Sequence, residues 1–175
     1  MAQQRYLIAL GSNQRHVRFG LPRSVLRAAL IGLQAAGLEL EAISPIIEST
    51  PLGPSHRRYA NAVAAITCQH GPRTLLALLQ QIEQRFGRKR MGQRWRARTL
   101  DLDVVLWDGG RWRDRALIIP HPEFRRRAFV LGPAVTIAPD WRDPITNCTL
   151  RHMFCGLTRK SATPRRPQRS ESAGP

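Results

Sequence analysis

The sequence has few cysteines and no long apolar run. Its three cysteines form no C-x-x-C pair and leave an odd one over, which argues against a disulfide framework or a zinc site. No stretch approaches the roughly eighteen apolar residues of a membrane-spanning helix, and the N-terminal apolar run is too short for a signal peptide. We therefore expect a cytoplasmic protein with reduced cysteines and no membrane partner.

Acidic residues are also scarce, since 28 Lys and Arg stand against 12 Asp and Glu and give a formal net charge of +16. Such a surface attracts polyanions, which include nucleic acid, acidic lipid and small phosphates. Composition alone favours nucleic acid. It does not decide between these ligands, because a nucleotide site also needs clustered arginines.

Length and composition predict one compact domain over residues 1–158. A chain of 175 residues can bury a single core, and a hydrophobic share of 42% is ordinary for a globular protein. From about residue 159 the composition changes to Arg, Pro, Ser and Gly, which predicts a disordered basic tail over residues 159–175.

Strand and helix patterns follow one another in the order β-α-β-β-α-β. The first helical pattern has Pro22 near its start and Gly37 just past its end, and the second opens at Pro72 and stops at Gly87. This order is typical of the split βαβ arrangement, so we predict an α+β fold, a ferredoxin-like βαββαβ sandwich with C-terminal additions. The predicted strands cover residues 5–10, 38–49, 59–68 and 100–107, and the predicted additions are helices at 124–138 and 149–156.

Two aspartates, Asp101 and Asp103, lie two residues apart in the last predicted strand. Side chains alternate along a strand, so both carboxylates should point to one face, with Cα atoms about 6–7 Å apart. Two carboxylates beside bound phosphates are typical of a magnesium site, and a pair at this spacing suits two ions. The alternative is an exposed strand whose acids are solvated or paired with Arg96 or Arg98.

A basic loop precedes these acids, because residues 85–98 contain seven cations and no acid. Guanidinium groups match phosphate oxygens with two bonds at once, and the indole of Trp95 could stack on a flat heterocycle. The sequence has no G-x-x-x-x-G-K-[ST], so phosphate binding must come from side chains. The arginines of the loop are Arg88, Arg90, Arg94, Arg96 and Arg98.

Two other functions compete with a nucleotide-dependent enzyme. A basic loop with an interleaved aromatic is also typical of RNA-binding domains with a ferredoxin-like fold. The pair Asp101 and Asp103 argues against that function, because carboxylates repel a phosphodiester backbone unless metals intervene. A D-x-D nucleotide-sugar transferase is the third possibility, and it usually needs a larger nucleotide-binding domain than 175 residues allow.

Four collinear segments carry a resemblance to a known family. The segment 94–105, RWRARTLDLDVV, resembles the signature of 6-hydroxymethyl-7,8-dihydropterin pyrophosphokinases. Three further segments agree in order and spacing, and together the matches cover roughly residues 5–157. These segments are ALGSN at 9–13, TPLGP at 50–54 leading into Tyr59, and IPHPEFRRRAFVLGP at 119–133.

The resemblance implies an ATP-dependent diphosphokinase of folate biosynthesis. Such an enzyme transfers diphosphate from ATP to the hydroxymethyl group of 6-hydroxymethyl-7,8-dihydropterin and releases AMP. It implies two Mg²⁺ ions held by Asp101 and Asp103, and a basic loop that closes over ATP. We expect a monomer whose partners are these two small substrates and not nucleic acid.

The resemblance also implies roles for individual side chains. The catalytic residues would be Arg88, Arg98, Asp101 and Asp103. The ATP-binding residues would be Gln80, Glu83, Arg88, Arg90, Trp95, Arg98, His121 and Arg127. The pterin-binding residues would be Ser49, Thr50, Leu52, Tyr59, Asn61, Trp95, Asp101 and Phe129, with the ring between Tyr59 and Phe129.

Arg96 departs from the family pattern, because it stands where the family usually has glycine. Its bulk and charge could alter closure of the loop or add a phosphate contact. No residue of the sequence is assigned as a general base.

Overall fold

The computed structural model describes residues 2–49, 58–87 and 99–162, with side chains up to residue 159. The elements follow in chain order as β1 (Gln4–Ser12), α1 (Pro22–Ala35), β2 (Glu39–Ile43), β3 (Ile47–Ser49), β4 (Tyr59–Cys68), α2 (Pro72–Arg85), β5 (Asp101–Trp107), β6 (Trp112–Arg113), β7 (Ile118–Ile119), a 3-10 turn (Phe124–Arg126), α3 (Ala128–Ile137) and α4 (Leu150–Ala162).

The main sheet has the strand order β2-β4-β1-β5, and β3 also pairs with β4. All of its pairings are antiparallel. With α1 after β1 and α2 after β4, this is the predicted ferredoxin-like βαββαβ arrangement, and the α+β prediction is confirmed. β6 and β7 form a separate two-stranded sheet.

The first two helices begin and end where proline and glycine predict. Pro22 and Pro72 occupy the first turns of α1 and α2, where a missing N–H removes no intrahelical bond. Gly37 and Gly87 follow the helix ends with φ of +82° and +80°, a left-handed conformation that side chains disfavour. The helical patterns of the sequence therefore locate these two elements closely.

Each face of the sheet carries its own hydrophobic core. On one face, α1 and α2 pack against side chains of β1, β4 and β5 that include Leu10, Ala62 and Leu102. On the other face, α3 and α4 pack against side chains that include Leu7 and Val63. β4 is buried along nearly its whole length because it lies between β1 and β2 and is covered on both sides.

Several local boundaries differ from the sequence-based prediction. The strand predicted over residues 5–10 extends to Ser12. The strand predicted over residues 38–49 is divided into β2 and β3 around Ser44, whose Oγ accepts the N–H of Val63 at 2.9 Å. The helix predicted from residue 124 begins as a 3-10 turn, since Arg127 has an extended backbone with φ −103° and ψ 96°. The last helix continues to Ala162, so residues 159–162 of the predicted tail are helical.

Residues 50–57, residues 88–98 of the basic loop and tail residues 163–175 lie outside the described residues. The single-domain prediction for residues 1–158 stays a prediction. Within the described ranges, no helix has the length and apolar character needed to cross a bilayer.

Candidate active site

Asp101 and Asn61 lie on either side of Gly11 in neighbouring strands. Gly11 of β1 pairs with Asn61 of β4 and with Asp101 of β5. Residues paired directly across strands point to the same face, so these three positions form one row across the sheet. In the next row, Ala9 pairs with Asp103, which places both carboxylates on the face that also carries α3 and α4. The predicted common face of the two aspartates agrees with this register.

Gly11, the middle residue of this row, has no side chain and so leaves space between Asn61 and Asp101. A Cβ added at Gly11 would lie 3.7 Å from Oδ1 of Asn61 and 4.0 Å from Cβ of Asp101. Both distances are ordinary contacts, so a methyl group would fit but would fill the space between the two polar side chains. Sequence reasoning assigned no role to Gly11. Gly11 directly follows the strand predicted over residues 5–10, and the structure extends β1 through it to Ser12. A glycine inside a strand often marks close approach of a ligand or another backbone.

Asn61 is held in place by a neighbour on β3. Its Nδ2 donates to Oγ of Ser49 at 2.8 Å, and the side chain is largely buried. Ser49 in turn pairs with Tyr59, the first residue of β4. Ser49, Tyr59 and Asn61, all expected to bind the pterin, are therefore brought together at one end of the sheet.

Phe129 lies in the first turn of α3, which packs against β3 and β4. Its ring is partly buried, and Cζ of Arg127 lies 5.8 Å from the ring centroid. Tyr59 is also partly buried, and it precedes Asn61 by two residues, so strand alternation places both on the same face. The two aromatic residues expected to sandwich a ring thus belong to elements that meet on the face carrying the carboxylates.

His121 and Arg127 face Asp103. Nε2 of His121 and Nη1 of Arg127 each lie 3.8 Å from Oδ2 of Asp103, whose side chain is 39% exposed. The distances are too long for direct hydrogen bonds, so Arg127 interacts with Asp103 mainly through charge. The cluster leaves one imidazole and one guanidinium beside an accessible carboxylate.

The protonation of His121 follows from its surroundings. Burial lowers the pKa of its imidazole below the usual 6.5, and Arg127 lowers it further, while Asp103 acts in the opposite direction. The neutral ring is therefore favoured near pH 7. Since Nδ1 accepts the N–H of Glu123 at 3.1 Å, the neutral ring carries its proton on Nε2, toward Asp103.

Glu83 of α2 reaches the strand that carries both aspartates. Its side chain is only 2% exposed, and its Oε1 accepts the backbone N–H of Leu102 at 2.8 Å. Leu102 lies between Asp101 and Asp103, so this bond fixes the strand at the point where the carboxylates project. Gln80, partly buried one helical turn earlier, shares this side of α2. Both residues were expected to bind ATP, and that role stays a prediction.

Comparison with known proteins identifies the family. Residues 7–139 match the model of the family described as 7,8-dihydro-6-hydroxymethylpterin-pyrophosphokinase (HPPK). The chain belongs to this family. The site residues described above, from Ala9 to Phe129, all lie within the matched range.

Curated HPPK relatives are similar over most of the chain. A 2-amino-4-hydroxy-6-hydroxymethyldihydropteridine pyrophosphokinase from Synechocystis is 37% identical over 82% of this chain and 71% of its own. One of the same description from Pseudomonas aeruginosa is 41% identical over 81% of this chain and 85% of its own. The chain is accordingly a pyrophosphokinase, and the predicted family and enzyme class are confirmed.

A solved structure shows the same fold at low identity. The wild-type HPPK-DHPS of Plasmodium falciparum with SDX-DHP superposes with a TM-score of 0.70 at 11% identity. The match covers 91% of this chain and 45% of that one, so this chain spans less than half of the larger protein.

Asp101 and Asp103 have the chemistry of part of a magnesium site. Among the residues that the structure describes, no group of three or more His, Cys, Asp or Glu could hold a metal unaided. Asp101 and Asp103 supply only two oxygen-bearing side chains on one face, and Mg²⁺ is commonly bound by one or two carboxylates together with water and substrate phosphates. The donor set is therefore suited to an ion that is shared with a nucleotide.

Six further residues expected in the HPPK site lie outside the described residues. They are Thr50 and Leu52 for the pterin, Trp95 for both substrates, and Arg88, Arg90 and Arg98 for the phosphates. Their roles stay predictions, as does any effect of Arg96.

Proposed function

We propose that this chain transfers diphosphate from ATP to the hydroxymethyl group of 6-hydroxymethyl-7,8-dihydropterin in folate biosynthesis, releasing AMP. The observation that carries the proposal is the placement of Asp101 and Asp103 between two groups of side chains. Asn61 lies on one side of Asp101 across Gly11, and His121 and Arg127 face Asp103 on the other. Family membership supports the same reaction.

The nucleotide is proposed to lie on the side of His121 and Arg127. Both side chains are partly exposed and point toward Asp103, so they can approach phosphate oxygens bound near that carboxylate. Arg127 supplies a fixed positive charge, and neutral His121 can donate from Nε2. Gln80, Glu83, Arg88, Arg90, Trp95 and Arg98 complete the proposed nucleotide site.

The pterin is proposed to lie on the side of Asn61. The bond from Asn61 to Ser49 fixes the amide, so that its remaining polar positions can pair with the edge of a flat heterocycle. Tyr59 and Phe129 offer aromatic faces on the same side of the sheet, and stacking on such faces is a common way to hold a planar ring. Ser49, Thr50, Leu52, Trp95 and Asp101 complete the proposed pterin site.

Asp101 and Asp103 are proposed to hold two Mg²⁺ ions. Bound there, the ions would supply positive charge against the phosphates of the transferred group. The two carboxylates themselves need positive neighbours, and Arg127 faces one of them. Arg88 and Arg98 are proposed to add positive charge from the basic loop.

In the proposed reaction, the hydroxymethyl oxygen bonds to the β-phosphorus of ATP. The bond from that phosphorus to the bridging oxygen of the α-phosphate breaks, and AMP leaves with the electron pair. The hydroxyl proton passes to solvent, because no side chain is assigned as a general base. Positioning and charge stabilisation would supply most of the rate enhancement.

The protein is proposed to act as a cytoplasmic monomer that does not bind nucleic acid. Three free cysteines support a reducing location, and two of them, Cys148 and Cys155, are exposed. Light scattering would test the monomer. An RNA-binding titration at several salt concentrations would test the absence of nucleic-acid binding, because the RNA affinity of a nucleic-acid-binding protein would fall steeply with salt.

The decisive experiment measures AMP formation from ATP, Mg²⁺ and 6-hydroxymethyl-7,8-dihydropterin. Wild type should release AMP only when all three are present, and Asp103→Asn should lose about two orders of magnitude or more in kcat. Asp108→Asn is the matched control, since Asp108 is exposed just beyond the end of the same strand. Wild-type turnover in Asp103→Asn would overturn the assignment of the carboxylate.

A further inference from the structure

Asp143 is a fully buried carboxylate at the centre of a polar cluster outside the site. Its side chain has no exposed surface, and it accepts two bonds from the guanidinium of Arg125, from Nε at 2.8 Å and from Nη2 at 2.6 Å. It also accepts the Oγ1–H of Thr146 at 2.6 Å and the N–H groups of Ile145 and Thr146, each at 3.2 Å. Every one of these donors is supplied by the chain itself, so the carboxylate is a fixed anchor.

Arg125 belongs to the turn that joins the two basic residues of the site. It is the middle residue of the 3-10 turn, which lies between His121 and Arg127. The N–H of Phe124 donates to the carbonyl of His121 at 3.2 Å, and the N–H of Arg127 donates to the carbonyl of Phe124 at 3.2 Å. A shift of Arg125 would therefore be transmitted to both residues that face Asp103.

The ion pair between Arg125 and Asp143, called the clamp below, and the hydrophobic core hold different parts of this turn. Phe124 is buried in the core beneath α3, and its ring lies 4.8 Å from Cζ of Arg125. The buried side chain of Phe124 fixes the position of the turn against the core. The two parallel bonds between Arg125 and Asp143 fix a direction as well as a distance, because a guanidinium and a carboxylate pair in one plane.

We propose that Arg125 and Asp143 are positioning residues that aim His121 and Arg127 at the phosphates of the nucleotide. The proposal rests on the proposed placement of ATP at these two side chains. Arg125 and Asp143 are proposed to act through the 3-10 turn. Their effect is on geometry, and misplacement of a binding group by about 1 Å can cost about a hundredfold in rate.

The test compares Arg125→Met with Arg126→Met. Arg126 is the next residue, is exposed, and loses the same charge on substitution. We expect Arg125→Met to weaken binding of a non-hydrolysable ATP analogue with Mg²⁺ by about tenfold or more, measured by calorimetry, with the KM for the pterin changed less than about twofold. Arg126→Met should bind the analogue like wild type.

Two additional variants separate positioning from loss of stability. Asp143→Asn keeps the volume and can still bond Thr146 and one guanidinium N–H, so it should fold and show a smaller loss of nucleotide affinity than Arg125→Met. Ile66→Val alters the core on the opposite face and should lower Tm without changing nucleotide affinity. Equal nucleotide affinity in Arg125→Met and Arg126→Met would overturn the clamp, as would parallel losses for both substrates.

Arg127→Ala distinguishes failure of the clamp from failure of the nucleotide assignment. If Arg127→Ala weakens binding of the analogue while Arg125→Met does not, the clamp is wrong and the nucleotide site stands. If Arg127→Ala and His121→Ala both bind the analogue like wild type, the proposed nucleotide site is wrong and the clamp loses its basis.

Discussion

The buried carboxylate of Glu83 accepts the backbone N–H of Leu102 at 2.8 Å, across the gap between α2 and β5. The bond ties a helix of one face to the strand segment whose two acids project to the other face. β5 is the last strand in the sheet order, so its backbone has a strand partner in the main sheet only on the side of β1. Glu83 thereby steadies the edge on which the proposed metal ligands lie.

Removing this acceptor should weaken metal binding more than it weakens pterin binding. In Glu83→Leu the N–H of Leu102 loses its acceptor inside the protein, which typically costs about 1–3 kcal/mol of stability. Glu83→Gln keeps an oxygen acceptor and should retain more of both stability and metal affinity. The measurement is Mn²⁺ binding in the presence of an ATP analogue, together with chemical unfolding. Equal metal affinity in the Gln and Leu variants would contradict a role for the bond.

Adding a methyl group at Gly11 should impair binding of the pterin. The new Cβ would lie 3.7 Å from Oδ1 of Asn61, within ordinary contact, so the fold should tolerate Gly11→Ala. The methyl would occupy the space between Asn61 and Asp101, where the pterin is proposed to bind. We therefore expect the KM for the pterin to rise about tenfold. Gly71→Ala is a control, because a Cβ at Gly71 would meet nothing within 4 Å. Unchanged pterin affinity in Gly11→Ala would show that the ring lies elsewhere.

Ser49 should act on the pterin through Asn61. Ser49→Ala removes the acceptor for Nδ2 of Asn61, so the amide loses its fixed orientation. We expect weaker pterin binding by about 1 kcal/mol and unchanged ATP affinity, and Ser49→Thr should preserve the bond. Fluorescence titration with the pterin and calorimetry with the ATP analogue would measure the two affinities. A loss of ATP affinity in Ser49→Ala would place Ser49 in a different part of the site.

The ion pair of Asp143 should make stability depend on pH in the acid range. Burial acts to raise the pKa of Asp143, but the hydrogen bonds from Arg125, Thr146 and Ile145 outweigh it and hold the pKa below 3.8. A depressed pKa in the folded state means that the contribution to stability is present above the unfolded-state pKa, near 3.8, and is lost as pH falls through the lower folded-state value.

Asp143→Asn should therefore lower the free energy of unfolding at pH 7 by about 3 kcal/mol, with a smaller difference from wild type at pH 2–3. Urea unfolding at pH 7, 5, 3 and 2 measures this. Asp140→Asn is the control, because Asp140 is exposed and its pair with Arg151 is at 3.5 Å. A difference between Asp143→Asn and wild type that stays constant down to pH 2 would contradict the assignment.

Much of the fold was predictable from local patterns. Pro22 and Pro72 predicted the starts of α1 and α2, and Gly37 and Gly87 predicted their ends, because these residues restrict the backbone whatever their surroundings. The limits of α3 were less predictable. Phe129, Leu131 and Val135 fit a helix that could start at residue 124, and only the packed structure shows Arg127 in an extended conformation before Ala128.

The order of strands and helices and the common face of Asp101 and Asp103 follow from local patterns, since strand alternation and helix periodicity are properties of consecutive residues. The placement of Gly11 between Asn61 and Asp101, the bond from Leu102 to Glu83 and the pairing of Asp143 with Arg125 follow only from packing. These contacts join residues distant in sequence, so their geometry depends on how sheet, helices and turns pack together. Patterns of consecutive residues therefore do not predict these contacts.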